Sequence, residues 1–421
     1  MKLSAEKSYE YILATALACF CFVPGSISLF VILLLVFTVV QIIRKKMKFV
    51  FSPVFLTFVL LYLAYAFGIL FTNHLGDAFG YLEKKLVLVL FPLLFSFRFE
   101  HKLDLRPITL GLVAGTVVLT ILSVINGIKI YHLTHDFNNS FGSTSYSYIH
   151  HPTYYAAMAT IALLMVREGV RNQWKYFNNW TLGIYFLLTC ANLLFCFSFA
   201  SLLFFSLVII IVLLNYFYRK LSRTWFFAGL VFLPLIPVSA YYGNIHIRIE
   251  VNRALNDLKT YIHNPNSVFE KVRTNPSGNQ TRLLMWTISV QEFLDHPMGS
   301  GTANFDDKLG KRLRDKGLDD YAELKYNPHN QFLQVAVEIG IFGLLIFLLI
   351  IFSFFRMARK YRSGLLFWVT FNLLFNCFFE SMLQRQSGIV FYVFLMCLFA
   401  AHLENRKSFP KVEPDEQLFN Q

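Results

Sequence analysis

His329 and Asn330 open an apolar run that carries Gln331, Gln334 and Glu338 in its first turns. Histidine titrates near neutral pH and suits accepting or giving a proton. An acid inside an apolar run of spanning length is costly to keep there and reads as functional. On a helix rising 1.5 Å per residue, Glu338 lies about 13 Å deeper than His329. It could orient that imidazole only through a bridging residue. Other polar groups stand at the same ends of the apolar runs: His150 and His151 after Tyr146 and Tyr148, Glu380, Gln384 and Arg385, and Lys84 with Lys85. Arg282 begins a further helical stretch, with Trp286 one turn on. Guanidinium and ammonium groups are the side chains that meet developing negative charge.

Each residue also has a structural use. A histidine at a helix start can be an interfacial polar anchor, and His150 and His151 precede Pro152, a helix-starting residue. Arg282 alone would be a solvated helix end. Pro297, Gly299 and Gly301 read as a turn rather than a phosphate cradle, because no Lys-Ser/Thr step follows. Neither His-x-x-x-His nor His-Glu-x-x-His occurs, and no acidic pair stands near the outer histidines at ligand spacing, so no metal and no cofactor are expected. Gly-x-Ser-x-Gly and Walker motifs are also absent, which removes the usual sequence support for ester hydrolysis and nucleotide-driven transport.

The elements that hold these groups are set by composition. Hydrophobic residues make up 56% of 421 and charged residues 15%, against about 25% charged in an ordinary soluble domain. The mean hydropathy of +0.51 comes from long apolar runs, and 47 phenylalanines suit lipid-facing surfaces. Runs near spanning length fall at 9–24, 27–43, 51–72, 86–97, 107–128, 150–166, 181–198, 201–217, 225–241, 331–354, 363–379 and 387–402. The first reads as a retained span, since no small-residue cleavage site follows it. The net charge of +13 has a membrane cause rather than a nucleic-acid one. Alternate loops hold seventeen Lys or Arg, from Arg44, Arg98, Arg167, Arg219 and Arg356 onward, and the intervening short loops hold four: Lys84, Lys85, Lys129 and Arg385. The positive-inside rule then places both termini in the cytoplasm and 242–330 outside.

The expectation is an all-α integral membrane protein of about twelve transmembrane helices. Its parts are a membrane domain at 1–241 with nine spans, a large and partly helical periplasmic loop at 242–330, three more spans at 331–402 and a cytoplasmic tail at 403–421. Within the loop, apolar spacing predicts a helix over 246–262, a second from Thr281 as N-cap to Asp295, and a charged helix over 304–316. The Asn/Pro/Ser-rich stretch 263–280 reads as connection. The six cysteines lie in or beside apolar runs and none is in the loop, so neither a disulfide framework nor a cysteine zinc site is expected there.

The segment His329-Asn330-Gln331-Phe332-Leu333, continuing to Glu338-Ile339-Gly340-Ile341-Phe342-Gly343-Leu344-Leu345, resembles the signature of the O-antigen ligase and polymerase superfamily. That superfamily also holds protein O-glycosyltransferases. Arg282, Trp286 and His296-Pro297-Met298-Gly299-Ser300-Gly301 are similar to the family's arginine-helix-glycine stretch. His150-His151-Pro152-Thr153-Tyr154, Tyr81-Leu82-Glu83-Lys84-Lys85 and Glu380-Ser381-Met382-Leu383-Gln384-Arg385-Gln386 are similar to segments of such chains. The specific part covers roughly 282–345. The chain departs at Ser198-Phe199-Ala200-Ser201, where many members carry a Ser-Arg-Gly-like step, so any role of that arginine is absent or filled by another residue.

The resemblance implies a C-type glycosyltransferase-like fold in a bacterial inner membrane. It implies transfer of a glycan from undecaprenyl diphosphate, without a metal, to a hydroxyl of lipid A-core, another glycan or a protein. The implied partners are thus a lipid-linked glycan donor, a glycolipid, glycan or protein acceptor, and membrane lipid, with no nucleic acid. His329 would be the base and Arg282 would stabilise the diphosphate. Arg385, Lys84, Lys85, Glu338, Glu380, His151 and Asn330 would complete the substrate site. Polymerase and protein glycosyltransferase are alternatives within the family. A lipid-linked glycan flippase is the alternative of another class, which broken helices at midplane and repeat symmetry would favour; neither is visible in the sequence. A catalytically silent scaffold is a third reading.

Overall fold

The computed structural model describes residues 4–101, 103–196, 198–220, 224, 227, 242–243, 245–274 and 278–408. Eleven of the twelve expected runs are occupied by helices: Ala5–Phe22, Ile27–Ile43, Pro53–Gly68, Val87–Ser96, Leu105–Thr134, Pro152–Arg171, Asn179–Cys196, Phe199–Lys220, Gln331–Lys360, Gly364–Cys377 and Gln386–Ser408. Apart from Phe227, the expected span at 225–241 lies outside the described residues, as does the end of the tail. Among the described residues six helices are long and apolar enough to cross a membrane, as in an all-α membrane protein. Short polar residues start several helices by accepting from first-turn amides: Ser4 from Lys7 (3.3 Å), Asp104 from Arg106 (2.9 Å) and Ser363 from Leu366 (3.3 Å).

Two features depart from the sequence reading outside the loop. An antiparallel ribbon pairs Met47–Phe49 with Phe97–Phe99 in the register Met47↔Phe99. These segments are too short for a strand pattern to register, and they pair because the helix ends beside them bring them together. An amphipathic helix at Leu75–Lys85 precedes the short apolar helix and turns Ala78, Leu82 and Lys85 inward.

In the loop, the first helix runs over Ile245–His263 and the charged one over Phe305–Asp315. The second begins at Gly278, so Thr281 lies inside it rather than capping it. The stretch read as connection contains a helix, Ser267–Thr274. Asn264, Pro265 and Asn266 lie ahead of that helix, while Val268, Phe269 and Val272 share a face and pack against Leu284, Met285 and Ile288. This small core closes on Val337 of the membrane helix below it.

The largest correction concerns the helix Gln331–Lys360. The sequence shows an uninterrupted apolar run, but Ile339 (φ −125°, ψ 15°) and Gly340 (φ 68°, ψ −164°) are not helical. The turn at 297–301 enters this break. Its amides at Ser300 and Gly301 donate to the carbonyls of Val337 (2.8 Å) and Glu338 (3.1 Å), and Ile341 N–H donates to Pro297 O (2.9 Å). Broken helices are tolerated at membrane depth where protein satisfies the freed backbone groups. Gly299 (φ 95°) and Gly340 cross so closely that a Cβ on Gly299 would lie 2.6 Å from Gly340 N. The turn continues into Pro53–Gly68, where Thr302 donates through N–H to Gly68 O (3.1 Å) and through Oγ1 to Tyr65 O (2.6 Å).

Gly340→Ala should lower the thermal stability of the detergent-purified protein by at least about 1–2 kcal/mol, the cost of a left-handed non-glycine residue. The Cβ would also collide with the Met298 carbonyl. Gly183→Ala, where a Cβ meets open space, is the control. Equal melting of the two variants would remove the backbone crossing as a determinant of stability.

Candidate active site

The seam between the loop and the helix Gln331–Lys360 is built by short-range geometry. His329 adopts a left-handed backbone (φ 45°), held by its N–H on Asn327 Oδ1 (2.8 Å) and by Trp286 Nε1 donating to Pro328 O (2.7 Å). Asn330 caps the helix by accepting from Phe332 N (3.0 Å) and Leu333 N (3.1 Å), and its Nδ2 donates to Phe378 O (3.4 Å). Gln331 Oε1 accepts from Leu383 N (2.6 Å). These bonds lock the helix start to the connection between the last two helices, and that connection carries Glu380 and Arg385.

His329 Nδ1 meets Glu380 Oε2 at 2.9 Å, with the imidazole 24% exposed and the carboxylate side chain 3%. Burial alone would raise the Glu380 carboxyl. The hydrogen bond and charge of His329, with smaller contributions from His151 and Ser381 N–H, hold it below the ordinary glutamate range instead. An ionised carboxylate can only accept, so Nδ1 carries the shared hydrogen; in the neutral imidazole that leaves the lone pair on Nε2. The charges acting on the His151 ring are those of Glu380, Arg385, His329 and Arg282, which places five candidate residues in one electrostatic neighbourhood. Arg282 is half-buried and Arg385 exposed, and neither is ion-paired among the described residues. His150 is not part of this group. It is buried between Ser387 Oγ (2.8 Å) and Cys21 O (2.9 Å) and pins three helix ends together.

Glu338 belongs to a second cluster and does not reach His329; the carboxylate behind the imidazole is Glu380. Glu338 Oε1 accepts from Gln334 Nε2 (2.6 Å) and from the Tyr81 hydroxyl, which also bonds Gln384. Lys85 is buried in the same cluster. Its ammonium lies 4.2 Å from the Tyr65 ring centroid and 4.5 Å from that of Tyr81, and donates to Leu383 O (3.3 Å). Lys84 faces the other way, exposed in a groove of about 1090 Å³. That groove passes from Asp77, Asp306 and Lys325 beside Glu338 and Gln384 to an apolar flank of Ile27, Val31, Leu35, Val87 and Leu90. The sequence reading missed Tyr81 as the bridge between Glu338 and Gln384. The available signal was its i,i+4 spacing from Lys85, which puts both on one helix face. Among the described residues no three His, Cys, Asp or Glu side chains gather as a metal site requires.

Residues 184–348 match the family model described as O-antigen ligase. The matched segment includes Arg282, His329, Asn330 and Glu338, whereas Lys84, Lys85, His151, Glu380 and Arg385 lie outside it. No curated protein matches the chain.

The Glu380 carboxyl is held below its ordinary value of 4.5. Its contribution to stability is therefore fully present above about pH 4.5 and is lost as pH falls through the lowered value. Unfolding of the wild type and of Glu380→Gln, followed from about pH 6 to about pH 3, should converge at the acid end. Parallel curves would mean that the His329–Glu380 pair carries no pH-dependent stability.

Proposed function

We propose that this protein belongs to the O-antigen ligase superfamily and transfers a glycan from undecaprenyl diphosphate to an acceptor hydroxyl at the periplasmic face of a bacterial inner membrane. The observation that carries the reading is the His329–Glu380 pair, set beside two arginines without ion-pair partners among the described residues. In this reading the acceptor oxygen gives its proton to His329 Nε2 while it attacks the anomeric carbon. The bond from that carbon to the diphosphate oxygen breaks, and the lipid diphosphate leaves with the electron pair. Glu380 stays ionised and stabilises the imidazolium. Arg282 and Arg385 meet the charge that grows on the diphosphate. The chemistry sits at an interface because the polyprenyl tail needs an apolar surface and the glycan needs water; the groove beside Lys84, polar at one end and apolar along its flank, suits both. The reading carries the twelve-span arrangement with it, including cytoplasmic termini and an outward loop at 242–330 that covers the site and selects the acceptor. Lipid A-core, a second glycan and a protein are the acceptor classes that the superfamily uses.

A flippase is the second reading, and the break at Ile339 and Gly340 favours it, since discontinuous helices are common at transporter sites. Here the freed backbone groups at the break bond to the turn at 297–301, which favours a fixed scaffold.

Membranes given labelled lipid-linked glycan and acceptor separate the two: an enzyme releases the lipid diphosphate, and a flippase leaves the glycosidic bond intact. His329→Ala should lower transfer by about 10²–10⁴-fold, the range for loss of a general base, at unchanged expression. Normal transfer in that variant would end the assignment. Arg282→Ala should slow transfer at saturating donor, and retained activity would remove it from the diphosphate. A chelator should leave the rate unchanged.

A further inference from the structure

A second cavity, of about 590 Å³, lies at the opposite end of the helix bundle. It is lined by the far ends of the helices whose near ends carry the proposed site: Arg171 ends the helix that His151 begins, and Arg362 follows the helix that His329 precedes. His329 and this cavity therefore stand at opposite ends of the broken helix Gln331–Lys360. The transfer reaction makes no use of it.

Three arginines from three separate elements line this cavity, against two carboxylates. Arg106 is committed to Asp104, through Nε at 2.8 Å and Nη2 at 2.7 Å. Arg171 is only loosely held, 3.8 Å from Glu168, whose other oxygen accepts from Asn172 (3.0 Å). Arg362 forms no ion pair among the described residues and sits in a left-handed conformation (φ 52°) just before the helix Gly364–Cys377. The first residues of that helix, Gly364 and Leu365, also line the cavity, and the first turn of a helix carries amides without an internal partner. The inner wall is apolar, with Leu105, Phe399 and Leu403. Convergent guanidinium groups at a helix start, above an apolar wall, match a phosphate with an acyl chain attached.

We propose that this cavity binds a phosphate-bearing anion, the headgroup of an anionic phospholipid in the adjoining leaflet. Such a ligand ties together the far ends of the helices that carry His151, His329 and Glu380.

The test uses the full-length protein, delipidated in detergent, with binding of phosphatidylglycerol and phosphatidylcholine read by native mass spectrometry. The wild type should retain phosphatidylglycerol over phosphatidylcholine. Arg171→Gln/Arg362→Gln should weaken that binding by roughly twenty-five-fold, about fivefold for each basic residue beside an anionic headgroup. Arg44→Gln/Lys46→Gln removes charge from a basic loop that does not line the cavity and should leave binding unchanged. Displacement of the lipid by millimolar inorganic phosphate would keep the anion site but make its occupant a soluble phosphate. Equal loss in both double variants would reduce the effect to diffuse attraction and overturn the proposal, as would equal binding of the two lipids. A salt titration of the wild type needs no variant: binding that does not weaken with salt also overturns it.

Discussion

A peptide group inside a membrane has no water to turn to, and each one left unpaired there costs several kcal/mol. The helix Gln331–Lys360 breaks at Ile339 and Gly340, and it does so only because the turn at 297–301 supplies the missing partners. That exchange constrains both sides. The crossing of Gly299 over Gly340 leaves no room for a side chain at either position. The turn is held from above by Glu292, which accepts from Ser300 Oγ (2.6 Å) and pairs with Arg312. It is held from the side by Asn304, which donates to Phe71 O (3.0 Å). The outer loop is therefore stitched into the membrane helices through its backbone rather than resting on them.

Two carboxylates near the seam then take different parts. Glu338, on the last turn before the break, faces Tyr81, Gln334 and Gln384. Glu380 comes from a different helix end and meets His329 because Asn330 and Gln331 bond the connection that carries it. The two acids are held by separate sets of donors: both oxygens of Glu380 are engaged, by His329 and Ser381 N–H, whereas Glu338 is engaged through Oε1, and its buried Oε2 has no hydrogen-bond partner among the described residues. This separation leaves His329 Nε2 without a hydrogen-bond partner among the described residues, while Lys84 and the groove border the Glu338 cluster.

The bundle is polar at both ends, in different ways. At the His329 end a buried carboxylate paired with an imidazole stands near two arginines without ion-pair partners among the described residues, which suits a reaction that moves a proton and stabilises an anion. At the Arg171 and Arg362 end the basic residues are exposed and paired loosely or not at all, which suits a fixed charge in the lipid headgroups. The same helices run between the two ends, so whatever holds one end of these helices bears on the position of the other.

Local physics was legible in the residues themselves. The apolar runs, the alternation of basic loops and the helices over Ile245–His263 and Phe305–Asp315 follow from periodicity and charge. The family resemblance drawn from 282–345 falls inside the matched segment 184–348. The break at Gly340 could not be read from a run that is apolar on both sides, because its stability comes from a turn about forty residues earlier, a spacing fixed by no local period. The partner of His329 had the same character. Glu338 is near in sequence but about 13 Å along the helix, while Glu380 is distant in sequence and 2.9 Å away. Residue type and spacing chose the chemistry. Which acid stands behind the histidine was decided by helix ends that only the folded chain brings together.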